Sequence, residues 1–174
     1  MKALILTADQ FEDSELLVPY YRLREEGVAV DIAAPARGPL RGEHGYKVEA
    51  TRSLAEVRPG EYDLLIVPGG RAPEALSEEK AALRIAEWFF ERERPVAAIC
   101  HGPLVLAATG LMEERHATCH PSIAFALRAA RVHYVDREVV VDDGVVTSRR
   151  PEDLPAFMRE VMTIVRRLRE VRGK

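Results

Sequence analysis

A chain of 174 residues with a formal net charge of −3 and 30% charged residues of both signs is no basic nucleic-acid binder, and it is long enough to bury a core of its own as one domain over 1–174. Two cysteines, Cys100 and Cys119, are too few for a disulfide framework and fit a reducing, cytoplasmic interior. The absence of asparagine, the single glutamine Gln10 and the excess of arginine over lysine point to a thermophile, because side-chain amides are thermolabile.

In chain order, KALILTA (2–8) is a short apolar run that predicts a buried strand, and too few apolar residues precede Asp9 for a signal peptide or a membrane span. From Phe11 to Glu26 the pattern is helical, with Leu16, Leu17, Tyr20 and Leu23 predicted on one inward face before Gly27. VAVDIAAP (28–35) is the next strand, and the glycine-rich RGPLRGEHGYKVEA (37–50) predicts a small hairpin. YDLLIVPGG (62–70) reads as a buried strand ending in two glycines. The helix after it is predicted to be capped by Ser77 and to turn Leu83, Ala86 and Phe90 inward. PVAAIC (95–100) is the fourth major strand, PLVLAATG (103–110) a short apolar helix stopped at Gly110, and another helix is predicted around Ile123–Arg131. EVVVDD and VVTS are predicted as two edge-like strands flanking a turn at Asp143–Gly144. The last helix opens at Pro151 and carries Leu154, Phe157, Met158, Val161, Val165 and Leu168 on one face. Its arginines are interspersed with Glu160 and Glu170, which suits a solvated face or a subunit contact rather than a nucleic-acid stripe. Strands apolar on both faces alternating with helices predict an α/β architecture, a mostly parallel sheet sandwiched by helices.

In such open sheets ligands bind at the carboxyl ends of the strands. Cys100 stands at one such end, followed by His101, Gly102 and Pro103. A strand that passes into a helix through so tight a turn makes a nucleophile elbow, and the amides of the following helix are expected to favour thiolate over thiol. A buried inert cysteine is the competing reading, and the adjacent His-Gly-Pro favours the nucleophile. His101 is the expected base, and it needs a third group to orient it. Two carboxylates are candidates: Glu12 in DQFEDSE, just after the first strand, and Glu74 in PGGRAPE, just after the third.

LTADQFEDSEL, PGGRAPE, AAICHGP and EHGY together resemble the PfpI-type intracellular cysteine protease family of the ThiJ/PfpI superfamily, and the likeness covers essentially the whole chain. The resemblance implies a flavodoxin-like three-layer sandwich, a catalytic Cys100 beside His101, and Glu12 close to the sulfur. It also implies a homo-oligomer, a hexamer or a dimer, in which Glu74 reaches His101 from a neighbouring subunit, with the backbone at Gly70 helping to form an oxyanion site. The chain departs from the family where Cys119 and His120 stand in place of a usual serine–tyrosine pair, so His120 takes the substrate-facing position. HATCH (116–120) with Cys100 and His101 raises the question of zinc, but a structural site wants four ligands in closed spacing and only one tight cluster exists, so no metal or cofactor is expected.

The function expected from these residues is hydrolysis by thiolate attack on a carbonyl, acting on peptides. The alternative substrate is methylglyoxal or its adducts with amines and thiols, as in glyoxalases and deglycases of the superfamily. A class I glutamine amidotransferase would need a downstream histidine where RRPED places Arg150. A non-catalytic alternative is a redox-sensing stress protein in which a protonated Glu12 bonds Cys100 and oxidation stops at the sulfinic acid. A base beside the thiol argues for catalysis instead. Neither nucleic acid nor membrane is expected as a partner.

Overall fold

The computed structural model describes residues 1–173. In chain order its elements are β1 (Lys2–Leu6), α1 (Asp13–Glu25), β2 (Ala29–Ala34), β3 (Gly38–Arg41), β4 (Lys47–Ala50), β5 (Arg52–Ser53) and β6 (Leu64–Val67). There follow α2 (Ala72–Leu76), α3 (Lys80–Glu91), β7 (Val96–Ile99), α4 (Pro103–Ala108), β8 (His116–Ala117) and α5 (Ala124–Ala129). The chain closes with β9 (His133–Tyr134), β10 (Val139–Asp142), β11 (Val145–Ser148) and α6 (Leu154–Arg172).

Seven strands form one sheet in the order β10-β11-β7-β6-β1-β2-β5, parallel throughout except for β10. β6 and β7 are buried at every residue, as strands covered on both faces must be. α1 packs on α6, while α2, α3 and α5 gather around α4. The strand order runs outward from β1 in both directions, to β2 on one side and β6 on the other, so β1 and β6 mark the reversal where a crevice opens.

Several local expectations are corrected. α1 buries Asp13, Glu15, Leu16, Pro19 and Leu23, whereas Leu17 and Tyr20 are only half-buried, so the inward stripe is rotated toward Glu15. Ser77 ends α2, and Glu79 caps the next helix by accepting the amide of Ala81. α3 turns Ala82, Ile85, Ala86 and Phe89 inward in place of Leu83 and Phe90. β11 is an inner strand: it pairs with β7 on one side and β10 on the other, and it is buried at all four residues. The predicted hairpin is β3–β4, tied to the start of α1 by Asp13, whose carboxylate accepts the amides of His44 (2.9 Å) and Tyr46 (2.8 Å).

Candidate active site

The carboxyl ends of β1, β6, β7 and β11 lie side by side, and the chain leaving each contributes to one cavity of about 540 Å³. Cys100 immediately follows β7. Its amide still donates to Ser148 of β11 at 3.0 Å, but its φ of +63° lies in the left-handed region, so the strand breaks at this residue. Gly102 then donates back to Ile99 at 2.8 Å, and a Cβ there would collide with the carbonyl of Val67. Only glycine lets the elbow close against the strand ends. The result is a cysteine with 7% of its surface exposed, its sulfur 3.2 Å from Nδ1 of His101.

All six residues singled out in the sequence, Glu12, Gly70, Glu74, Cys100, His101 and His120, line this cavity, together with Glu43, Arg71, Arg150, Pro151 and Glu152. Their contacts differ from expectation. Glu12 does not stand against the sulfur: it is the N-cap of α1, accepting from Ser14 Oγ at 2.6 Å and from the amide of Glu15 at 2.8 Å, with His44 at 3.5 Å. The acid beside Cys100 is Glu15, one helical turn further on, where a side chain starting at 12 is replaced by one pointing into the core. Its Oε2 accepts the amide of Gly69 at 2.8 Å, and its Oε1 is buried without a hydrogen-bond partner.

Burial, with the nearby Glu12 charge second, pushes Glu15 up to about 8, so at pH 7 it is chiefly a neutral acid. Burial, and then the Glu15 charge when that acid ionises, push the Cys100 thiol up, while the amides of Gly70 and His101 pull it down. The expected ease of ionisation is therefore not found: the amides of Gly70 and His101 favour the thiolate, but burial outweighs them. The charge state of the thiol is coupled to that of Glu15. When one proton has left the pair, the sulfur has two amide donors and can receive the Glu15 O–H as a third, whereas a carboxylate at Glu15 would keep one amide and an orphaned oxygen. Sulfur and carboxyl hydrogen-bond one another, and the pair titrates as a unit.

His101 is half-buried, and burial and the neighbouring His120 pull its pKa below the ordinary value while Glu74 pulls it up. It is neutral at pH 7 and able to accept a proton. Glu74, an exposed residue of the largely buried α2, acts on His101 within the chain only through its charge; the hydrogen-bonding partner of Nε2 is Ser122 Oγ at 3.2 Å. Gly70, with φ of +84°, holds its backbone against Gln10 and Glu12 and aims its amide at the sulfur. HATCH does not close on itself: His116 pairs with Asp142 at 3.3 Å and stacks on His133, while Cys119 is fully buried and pushed up to about 12 by that burial.

Glu15 and Ser122 are the two site residues that the sequence reading passed over. Glu15 carried a signal, since an acid adjacent to Leu16 and four before Pro19 falls within the buried stripe of α1. Ser122, an exposed residue of the turn at Pro121–Ile123, carried none.

The sequence profile described as the DJ-1/PfpI family matches residues 1–164. A Pyrococcus abyssi protein named a deglycase is 47% identical over 166 residues, covering 95% of this chain and 100% of its own length. A Bacillus subtilis protein with a provisional name as a cysteine protease, YraA, is 39% identical over 168 residues, covering 95% and 98%. Among solved structures, a two-domain protein of Anabaena variabilis with DJ-1/ThiJ/PfpI-like and ferritin-like domains superposes with a TM-score of 0.92 at 29% identity, covering 95% of this chain. The match spans half of that longer chain, at 50%.

Proposed function

The chain belongs to the DJ-1/PfpI family, and from that premise we propose that it is a cysteine-dependent hydrolase whose Cys100 attacks the carbonyl of small adducts formed by glyoxals on amines or thiols. The observation that carries the reading is the Cys100 sulfur at the elbow, 3.2 Å from a neutral imidazole and facing the amides of Gly70 and His101. His101 takes the thiol proton at Nδ1 as the sulfur adds to the carbonyl carbon. The electron pair of the carbonyl moves to its oxygen, which the two amides receive. For a glyoxal adduct the amine or thiol leaves first, the adduct's carbinol carbon becoming the aldehyde carbonyl that the sulfur attacks. The oxyanion takes the proton from Nδ1, a proton shift between the two carbons gives a thioester, and water hydrolyses it to a hydroxy acid and the free thiol. For a peptide, collapse of the oxyanion breaks the C–N bond, the amine takes the proton from Nδ1, and water hydrolyses the thioester. Glu15, as a neutral acid, donates to the sulfur whenever it is anionic. The deglycase name of the P. abyssi relative and the size of the cavity favour a small adduct.

Peptide hydrolysis is the second reading, favoured by the cysteine-protease name of the B. subtilis relative and by the same attack geometry. A redox sensor needs an acid donor at the sulfur, a position that Glu15 and not Glu12 supplies, but it has no use for His101. We further infer a cytoplasmic homo-oligomer, most simply a hexamer, in which a neighbour's Glu74 completes the orientation of His101. Purified protein assayed against a methylglyoxal–thiol adduct and a labelled peptide, with Cys100→Ser as control, decides among these. Turnover of neither substrate, or full activity of Cys100→Ser, refutes the hydrolase. Mixing inactive Cys100→Ser and Glu74→Gln proteins under subunit exchange should restore partial activity if the site is shared between chains. Full activity of Glu74→Gln alone removes the shared site.

A further inference from the structure

His101 has two ring nitrogens, and within the chain the one that does not face the sulfur meets a hydroxyl. Its Nε2 lies 3.2 Å from Ser122 Oγ, and that hydroxyl lies 2.7 Å from Nδ1 of His120. The two imidazoles are stacked, with ring centres 4.9 Å apart and planes 19° from parallel. A fourth contact fixes the direction of the chain. The backbone amide of Ser122 donates to the same His120 Nδ1 at 3.2 Å, and a backbone N–H can only donate.

Assigning hydrogens from that amide outward leaves one self-consistent arrangement. His120 Nδ1 is an acceptor, so its ring proton sits on Nε2. Ser122 O–H then donates to His120 Nδ1 and leaves the oxygen lone pairs facing His101. His101 Nε2 must carry its proton to fill that acceptor. The lone pair of His101 therefore sits on Nδ1, 3.2 Å from the Cys100 sulfur, where the base has to be. We propose that Ser122 and His120 are positioning residues that set the base-competent tautomer of His101, doing from within the chain what an orienting carboxylate does in other nucleophile–base pairs. The proposal rests on the cysteine-hydrolase reading for its kinetic consequence, but the tautomer itself is a property of the resting protein.

The arrangement suits the charges around it. In the resting chain the Ser122 hydroxyl orients the ring without adding charge; a neighbour's Glu74 accepting from the same Nε2–H would select the same tautomer, and the Ser122→Ala protein tells the two apart. Glu74 from α2, Glu12 from the start of α1, and Arg150 and Glu152 from the turn after β11 line the same cavity, along with the Glu43–Arg71 pair. Burial and His120 offset the pull of Glu74, and His101 stays neutral. During attack the proton moves from sulfur to Nδ1, and the strengthened Nε2–H bond to Ser122 holds the cation in place until Nδ1 returns the proton.

The test is Ser122→Ala against Ser122→Thr, which keeps the hydroxyl. Nitrogen NMR of labelled histidine in the reduced protein, without substrate, should show His101 unprotonated at Nδ1 in the wild-type and Ser122→Thr proteins and a mixture of tautomers in Ser122→Ala. Steady-state assays should show kcat of Ser122→Ala lowered on the order of 10-fold with KM little changed, and restored by threonine. His120→Phe should move the acid limb of kcat/KM to higher pH, because it removes a group that lowers the pKa of His101. A wild-type His101 protonated at Nδ1, an unchanged tautomer in Ser122→Ala, or a Ser122→Ala kcat within twofold of wild type overturns the proposal. So does a threonine variant as impaired as the alanine one, which would assign the effect to packing. Loss of the hydrolase reading through an active Cys100→Ser protein is a separate outcome, since the NMR measurement needs no turnover.

Discussion

Glu15→Gln is expected to abolish a specific pH dependence of folding stability. Glu15 is fully buried, with one oxygen bonded to the amide of Gly69 and the other without a partner. Its folded pKa rises from 4.5 to about 8, chiefly because burial disfavours the charge. Below the unfolded pKa both states hold the proton and the group is indifferent. Between the two values the unfolded chain releases a proton that the folded protein keeps, so stability falls as pH rises, and above the folded pKa the loss is complete. At about 1.4 kcal/mol for each pH unit the full loss is on the order of 5 kcal/mol, of which roughly 3–4 kcal/mol falls between pH 5 and pH 8. Glutamine keeps the shape and an acceptor for Gly69 but has no charge to bury. Guanidinium unfolding of reduced wild-type and Glu15→Gln proteins at pH 5, 6, 7 and 8, at one protein concentration, measures the difference. Other titrating groups, such as Asp31 held down at about 2, are common to both proteins and cancel. Parallel stability–pH curves for the two proteins would refute the buried neutral acid.

Replacing Glu15 by leucine removes the third donor to the sulfur, so the midpoint of Cys100 alkylation by iodoacetamide, followed by mass spectrometry, should move to higher pH; a lowered midpoint contradicts the donor role. Cys119, fully buried and pushed up to about 12, should resist the same reagent until the protein unfolds, and equal rates at the two cysteines would remove the distinction. Gly70→Ala places a Cβ against the backbone of Gln10 and Glu12 at a φ of +84°, and thermal unfolding should show a loss of at least about 2 kcal/mol with activity lost alongside; wild-type stability there would mean that the loop can move away. Exhaustive chelation should leave activity unchanged, and recovery of a chelator-inactivated protein by zinc would require HATCH to be reread as ligands.

What neighbouring residues do to one another was legible in the sequence. The all-apolar stretch ending at Cys100 specified a strand buried on both faces, and Gly102 and Pro103 specified the break, because a sharp turn into a helix needs a residue without a side chain and one preset for the first turn. The alternation of strands and helices fixed a parallel sheet, and with it the edge at which the chain leaving β6 and β7 had to meet. The choice of acid was not determined in this way. Glu12 and Glu15 lie one turn apart on α1, and a helix advances about 100° per residue, so only the packing of α1 on the sheet decides which of them caps the helix and which enters the core beside the sulfur. Ser122 was further out of reach: its hydroxyl meets His101 across a separation of 21 residues, through a turn held by the amide of His120 on the carbonyl of Cys100. Periodicity and local propensity carry no information about such a contact, because a hydrogen bond depends on position in space to a few tenths of an ångström, and that position exists only once the sheet, the elbow and the turn are assembled.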